Sequence, residues 1–207
     1  MPDALPSLVG WVVLSRQNLQ AALGYASSIV FLVSISWYVY DVAKGRVKVA
    51  IASVAMLFLI NISQLGALIA KELWYIVPFT TTAAVMNALI IIFGIKNGKF
   101  QLKKMDIIVF LGALLGLVCW YFTGDAAMNV YVLTATMLAS IIPIVTKTFH
   151  DSSSETKFPW QLNFVAAVLL LGTITSTAPV AWLVQARQFV FALLMAVAVG
   201  LPPKKLK

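Results

Sequence analysis

The chain has 207 residues, of which 61% are hydrophobic and 11% are charged, and its mean hydropathy is +0.95. Soluble domains are typically about 45–50% apolar and about 25% charged, so this composition excludes an ordinary soluble domain and predicts an all-α membrane protein. The net charge of +8 does not indicate nucleic-acid binding, because the basic residues cluster at the ends of hydrophobic runs.

Seven hydrophobic runs follow one another along the chain, and each is close to the length of about 20 residues that a membrane-spanning helix needs. They cover residues 21–40, 49–70, 74–95, 105–122, 128–145, 159–176 and 179–201. Residues 1–20 precede the first run and contain an apolar stretch, 5–14, that is too short to cross. This segment predicts either a helix lying at the membrane interface or a tail.

The basic residues alternate between the two sides of these runs. The connections at 41–48, 96–104 and 147–158, together with the tail at 202–207, hold twelve Lys and Arg, whereas the other side holds three. The positive-inside rule therefore predicts a protein of the cell (inner) membrane with its N-terminus outside and its C-terminus in the cytoplasm. This orientation requires an odd number of spans, which supports the count of seven.

The third and seventh runs resemble each other. Pro78 precedes Asn87 by nine residues, and Pro179 precedes Gln188 by nine residues. Asn61 in the second run and Asn163 in the sixth form a further pair at nearly the same offset. The pattern predicts two parallel three-helix repeats, 21–95 and 128–201, joined by a linker, 96–127, that contains the fourth helix. Chance similarity between apolar helices is the alternative.

A resemblance to a known group adds to this prediction. The stretch Gly24–Arg46, which contains Tyr38-Val39-Tyr40-Asp41, resembles the start of a family of uncharacterised bacterial membrane proteins. Asp106, the stretch Trp120–Thr123, and Pro143 with Lys147 continue the resemblance. These proteins look like distant relatives of the PQ-loop group, which includes the SWEET sugar transporters. The resemblance implies a seven-helix 3+1+3 fold and transport by alternating access.

The resemblance also implies functional residues. SWEET-like proteins place an asparagine near the substrate on the third helix of each repeat. Asn87 matches that position, and Gln188 retains the amide with one more methylene. The proline-glutamine pair itself is missing, since Ile144 follows the hinge proline of the second repeat and Trp37 and Tyr38 stand in the first. The candidate gating or hinge prolines are Pro78, Pro143 and Pro179.

Polar side chains inside the runs are the candidates for a binding site, because a polar group in hydrocarbon is costly unless it is paired or faces a cavity. Carboxamides donate and accept hydrogen bonds and so suit a small polar solute. Hydrogen bonding between helices is the alternative role. The candidate substrate-binding residues are Asn61, Gln64, Asn87, Asn163, Arg187 and Gln188.

Arg187 is the one charge well inside a predicted span. Its guanidinium can extend to the outer surface. It can instead point inward, where it would bind an anionic group of a substrate or pair with Glu72 or Asp125. The connection at 150–157 is predicted to be a solvated turn.

Two functions fit these features: a transporter or facilitator of a small polar solute, and a non-transporting receptor, sorting or assembly module of the same fold. An enzyme is not expected, because the sequence has no H-E-x-x-H or G-x-S-x-G motif. No metal or other cofactor is predicted from one cysteine and one histidine. The expected partners are the lipid bilayer and the solute. One chain carries both repeats, so a monomer suffices and a homo-oligomer is left open.

Overall fold

The computed structural model of the protein describes residues 4–47, 51–97, 104–152, 155–174 and 179–201, and these ranges contain seven helices and no strand. The helices are α1 (Ala4–Ala43), α2 (Ile51–Ala70), α3 (Val77–Asn97), α4 (Lys104–Thr123), α5 (Ala126–His150), α6 (Lys157–Leu171) and α7 (Pro179–Gly200). The predicted basic tail at 202–207 lies outside the described residues.

Six of the helices form a closed ring in which each packs on two neighbours. The order around the ring is α1, α3, α2, α5, α7 and α6, and α6 packs on α1 again. Within the described ranges α3 and α7 make no contact with each other, so they lie on opposite sides of the ring. The remaining helix, α4, lies outside the ring and packs on α5 and α2.

Helix α1 extends through the N-terminal segment. It is one continuous helix of 40 residues, about 60 Å long at 1.5 Å per residue, so residues 5–14 belong to the same helix as the first predicted run, and their position relative to a membrane stays a prediction. Pro6 lies in the first turn, where the missing N–H breaks no hydrogen bond. No other proline interrupts the helix, so it continues without a break to Ala43.

Four segments are long and apolar enough to cross a membrane: Gln17–Ala43, Val77–Lys96, Ala126–His150 and Trp182–Gly200. Shorter apolar segments occupy the other three helices, at Val54–Ala70, Phe110–Thr123 and Lys157–Leu171. Many large apolar side chains face outward, and Tyr121 and Phe122 at the end of α4 are 85% and 80% exposed. Such an apolar surface is unusual in water and is compatible with lipid contact.

The α2–α3 and α4–α5 connections lie at the same end of the ring as the C-terminal end of α6. Lys71 Nζ lies 2.7 Å from Asp125 Oδ1, and Gln20 Nε2 donates a hydrogen bond to the Thr173 carbonyl at 2.8 Å. The hydrogen bond from Lys71 holds the pKa of the Asp125 carboxyl below its usual value, and the Ala127 N–H contributes in the same direction. Asp125 is therefore paired with Lys71. The sequence had also suggested Arg187 as its partner, and the structure does not show that pair.

The opposite end carries the α1–α2 and α5–α6 connections and the end of α7. Ser152 Oγ donates a hydrogen bond to the Leu201 carbonyl at 3.1 Å, which ties the last two together. Lys44, Arg46 and Lys157 are exposed there, and we call this end the basic end.

Two glycines allow α4 to pack closely on α5. A Cβ at Gly116 would lie 2.7 Å from Asn129 Oδ1, and a Cβ at Gly112 would overlap the side chain of Thr136. Their spacing of four residues places both on one helix face, as in small-residue packing motifs of membrane helices. The Asn129 amide also donates to Ser63 Oγ at 3.0 Å, so α5 is linked to α2 as well.

Candidate functional site

A cavity of about 150 Å³ lies inside the ring. All six ring helices and the α5–α6 connection contribute to its wall, whereas α4 contributes no residue. The wall is mostly apolar, with polar groups at a few positions. This composition is typical of a site for a small molecule.

All six candidate substrate-binding residues line this one cavity. They come from four helices, α2, α3, α6 and α7, and are Asn61, Gln64, Asn87, Asn163, Arg187 and Gln188. Their placement has a simple cause, because each is a polar group on an otherwise apolar helix and is most stable away from lipid. The binding role itself stays a prediction.

Arg187 points into the interior rather than to the outer surface. Its side chain is 5% exposed, and Nη2 donates a hydrogen bond to Gln64 Oε1 at 2.7 Å, which links α7 to α2. The Nε and Nη1 atoms have no hydrogen-bond partner among the described residues. Neither Glu72 nor Asp125, the two partners that the sequence suggested, forms an ion pair with it in that part of the chain.

The carboxamides fall into two groups. Gln188 Nε2 donates to Asn163 Oδ1 at 3.3 Å, which links α7 to α6. Asn61 and Asn87 line the cavity, and their side-chain amides form no hydrogen bond within the described ranges, so these amides are available to a solute. Asn87 and Gln188 approach the cavity from α3 and α7, which lie on opposite sides of the ring.

The candidate prolines occupy two kinds of position. Pro78 is the second residue of α3 and Pro179 is the first residue of α7, where proline is compatible with a regular helix. Thr82 Oγ1 donates to the Pro78 carbonyl at 2.9 Å. Pro143 lies within α5, and it is therefore the proline of the three that interrupts hydrogen bonds inside a helix. Gating by any of them stays a prediction.

Glu155 is a cavity residue that the sequence did not identify. The connection that contains it was predicted to be a solvated turn, but Glu155 lines the cavity near the basic end. Its Oε2 accepts a hydrogen bond from Trp160 Nε1 at 3.3 Å. The Trp160 ring lies 6.1 Å from the ring of Tyr38 and 5.4 Å from that of Phe191, so aromatic side chains surround this part of the wall.

The site combines one buried guanidinium, several carboxamides and apolar walls. This arrangement can hold and orient a small solute by hydrogen bonds and charge. Among the described residues no group of three or more His, Cys, Asp or Glu could hold a metal ion.

Comparison with known proteins adds no assignment. The sequence matches no protein-family model and no curated protein.

Proposed function

We propose that the protein is a transporter or facilitator of a small polar solute in the inner membrane of a bacterial cell. The observation that carries this proposal is the convergence of six polar side chains from four helices on one interior cavity. Intramembrane polar groups that face a cavity rather than lipid are typical of solute pathways.

The proposed architecture is seven spans in a 3+1+3 repeat, related to the PQ-loop and SWEET group. The order of helix contacts supports it, because α3 lies between α1 and α2, and α7 lies between α5 and α6. The ring has the same set of helix pairs when α1 is exchanged with α5, α2 with α6 and α3 with α7. Helix α4 is then the linker between the two repeats. Helix α6 has 15 residues and is about 22 Å long, a mismatch that bilayer thinning accommodates.

In this proposal the solute reaches the cavity alternately from each side. Access at the basic end requires the ring contacts of Tyr38, Trp160 and Phe191 to separate. Phe31 and Phe79, whose ring centroids are 4.4 Å apart, form a second aromatic contact between α1 and α3. Separation of such packed pairs is a rigid-body movement of helices, which is the usual basis of alternating access.

Uptake into proteoliposomes tests the proposal. The purified full chain is reconstituted, and a panel of labelled sugars, amino acids and vitamin-like solutes is offered in the presence and absence of protein. We expect protein-dependent flux of at least one solute and its reduction by about fivefold or more in Asn87→Ala, since a lost hydrogen bond to the solute costs about 1 kcal/mol or more.

The matched control is Gln161→Ala, which removes an exposed amide on α6 that does not line the cavity. Its flux should equal that of the unchanged protein. Absence of flux for the whole panel would contradict transport and favour a non-transporting receptor, sorting or assembly module.

A further inference from the structure

We propose that the solute is a small monocarboxylate with an apolar body, and that Arg187 binds its carboxylate. The inference rests on the proposed function, because it names the solute that would bind in the same cavity. It is carried by the charge, the free donors and the size of that cavity.

Arg187 is a buried cation with no ion-pair partner among the described residues. Its side chain is 5% exposed, and its one hydrogen-bond partner in the described part of the chain is Gln64, which is neutral. The ion pairs Arg46–Asp41 and Lys71–Asp125 do not involve it. A charge removed from water is costly unless an opposite charge compensates it. Within the described residues this guanidinium therefore has no directly paired negative charge, and the carboxyl group of Glu155 lines the same cavity without forming an ion pair with it.

The guanidinium also has the donors that a carboxylate needs. Its five N–H groups form a planar fork, and Gln64 takes one of the two on Nη2. Nε and Nη1, on either side of Nη2, have no partner among the described residues. A carboxylate can therefore bind the second N–H of Nη2 together with that of one neighbouring nitrogen, which is the bidentate geometry that Arg favours.

The rest of the cavity limits the ligand to one charge and an apolar body. Glu155 also lines the wall, and its carboxyl group disfavours a dianion such as a phosphate monoester. Phe31, Met137 and Phe191 are among the apolar side chains of the wall. A cavity of about 150 Å³ is close to the size that holds benzene, so the body of the ligand is on the scale of one small ring.

Binding of two matched probes tests the inference. Benzoate and benzamide have nearly the same shape and differ in charge, and inorganic phosphate serves as a third probe. Isothermal titration calorimetry on the purified full chain in a nonionic detergent should give benzoate an affinity at least about tenfold higher than that of benzamide, as expected for a hydrogen-bonded charge. Phosphate should bind more weakly than benzoate.

Variants assign the preference to one side chain. Arg187→Gln should remove the preference for benzoate, and Arg187→Lys should retain part of it, since the charge stays and the fork is lost. Lys157→Gln is the control, because it removes an exposed cation at the basic end that does not line the cavity, and it should leave the affinity unchanged.

The comparison of benzoate with benzamide uses the unchanged protein. It therefore remains decisive even if Arg187→Gln fails to fold. Equal affinities for benzoate and benzamide, undetectable benzoate binding, or tighter binding of phosphate would overturn the inference. Flux of neutral solutes without a benzoate preference would reject the monocarboxylate and retain transport. A benzoate preference without flux of any solute would reject transport and retain the monocarboxylate as the ligand.

Discussion

The hydrogen bond between Arg187 and Gln64 is the main polar link between α7 and α2. Gln64→Leu should lower the free energy of unfolding by about 1–3 kcal/mol, because the buried guanidinium loses its one acceptor among the described residues. Gln64→Glu should be more stable than Gln64→Leu, since a carboxylate compensates the charge. The same carboxylate should remove benzoate binding. Thermal unfolding in detergent, followed by tryptophan fluorescence, measures the stabilities.

The control for this pair is Gln161→Leu, which changes an exposed glutamine to leucine on the outside of α6. It should unfold at the temperature of the unchanged protein. Equal unfolding temperatures for Gln64→Leu and Gln161→Leu would show that the hydrogen bond adds nothing to stability.

Six of the residues that line the cavity were predictable at the level of single side chains. The rule that polar groups avoid lipid identified these six, Arg187 among them, without knowledge of which helices are neighbours. Glu155 was not identified, because it lies in a polar connection where burial leaves no mark in the sequence. Asn129 does not line the cavity, but it is another buried polar residue that the sequence did not identify. It lies in the first turn of α5, where a polar residue is ordinary, and it is fully buried against α4 and α2.

At the scale of elements, the close packing of α4 on α5 depends on two glycines. Gly112→Ala should destabilise the protein by about 1–3 kcal/mol, because its methyl group overlaps Thr136 and separates the helices. Gly200→Ala is the matched control, since no atom lies within 4 Å of a Cβ added there. Unfolding temperatures of the two variants decide the prediction, and equal values would mean that α4 adjusts without cost.

Helix existence was more predictable than helix extent or partners. The seven hydrophobic runs correspond to the seven helices of the described ranges. The helix predicted at 159–176 ends earlier in the structure, where α6 stops at Leu171 and Gly172 is its C-cap. The order of the helices around the ring depends on which faces are complementary. Hydrophobic periodicity is weak in helices that are apolar all round, so the order of the helices around the ring could not be predicted from the sequence.

At the scale of the whole molecule, the predicted orientation can be tested by labelling. Cys119→Ser supplies a cysteine-free background in which Glu72→Cys and Lys44→Cys are made separately. Both sites are exposed, and they lie in the α2–α3 and α1–α2 connections at opposite ends of the ring. A membrane-impermeant maleimide should label Glu72→Cys on intact cells and Lys44→Cys after permeabilisation. The positive-inside rule would be misleading here if the pattern were reversed.

The shared wall of the cavity has a thermodynamic consequence. Because six helices each supply part of one binding surface, a ligand that fits is selective for the assembled ring over any state in which a helix has separated. Occupancy then adds to the free energy of unfolding by RT ln(1 + [L]/Kd), about 2.7 kcal/mol when the ligand is at 100 times its Kd. The melting temperature of the entire bundle thus becomes a sensor of whatever solute the cavity accepts.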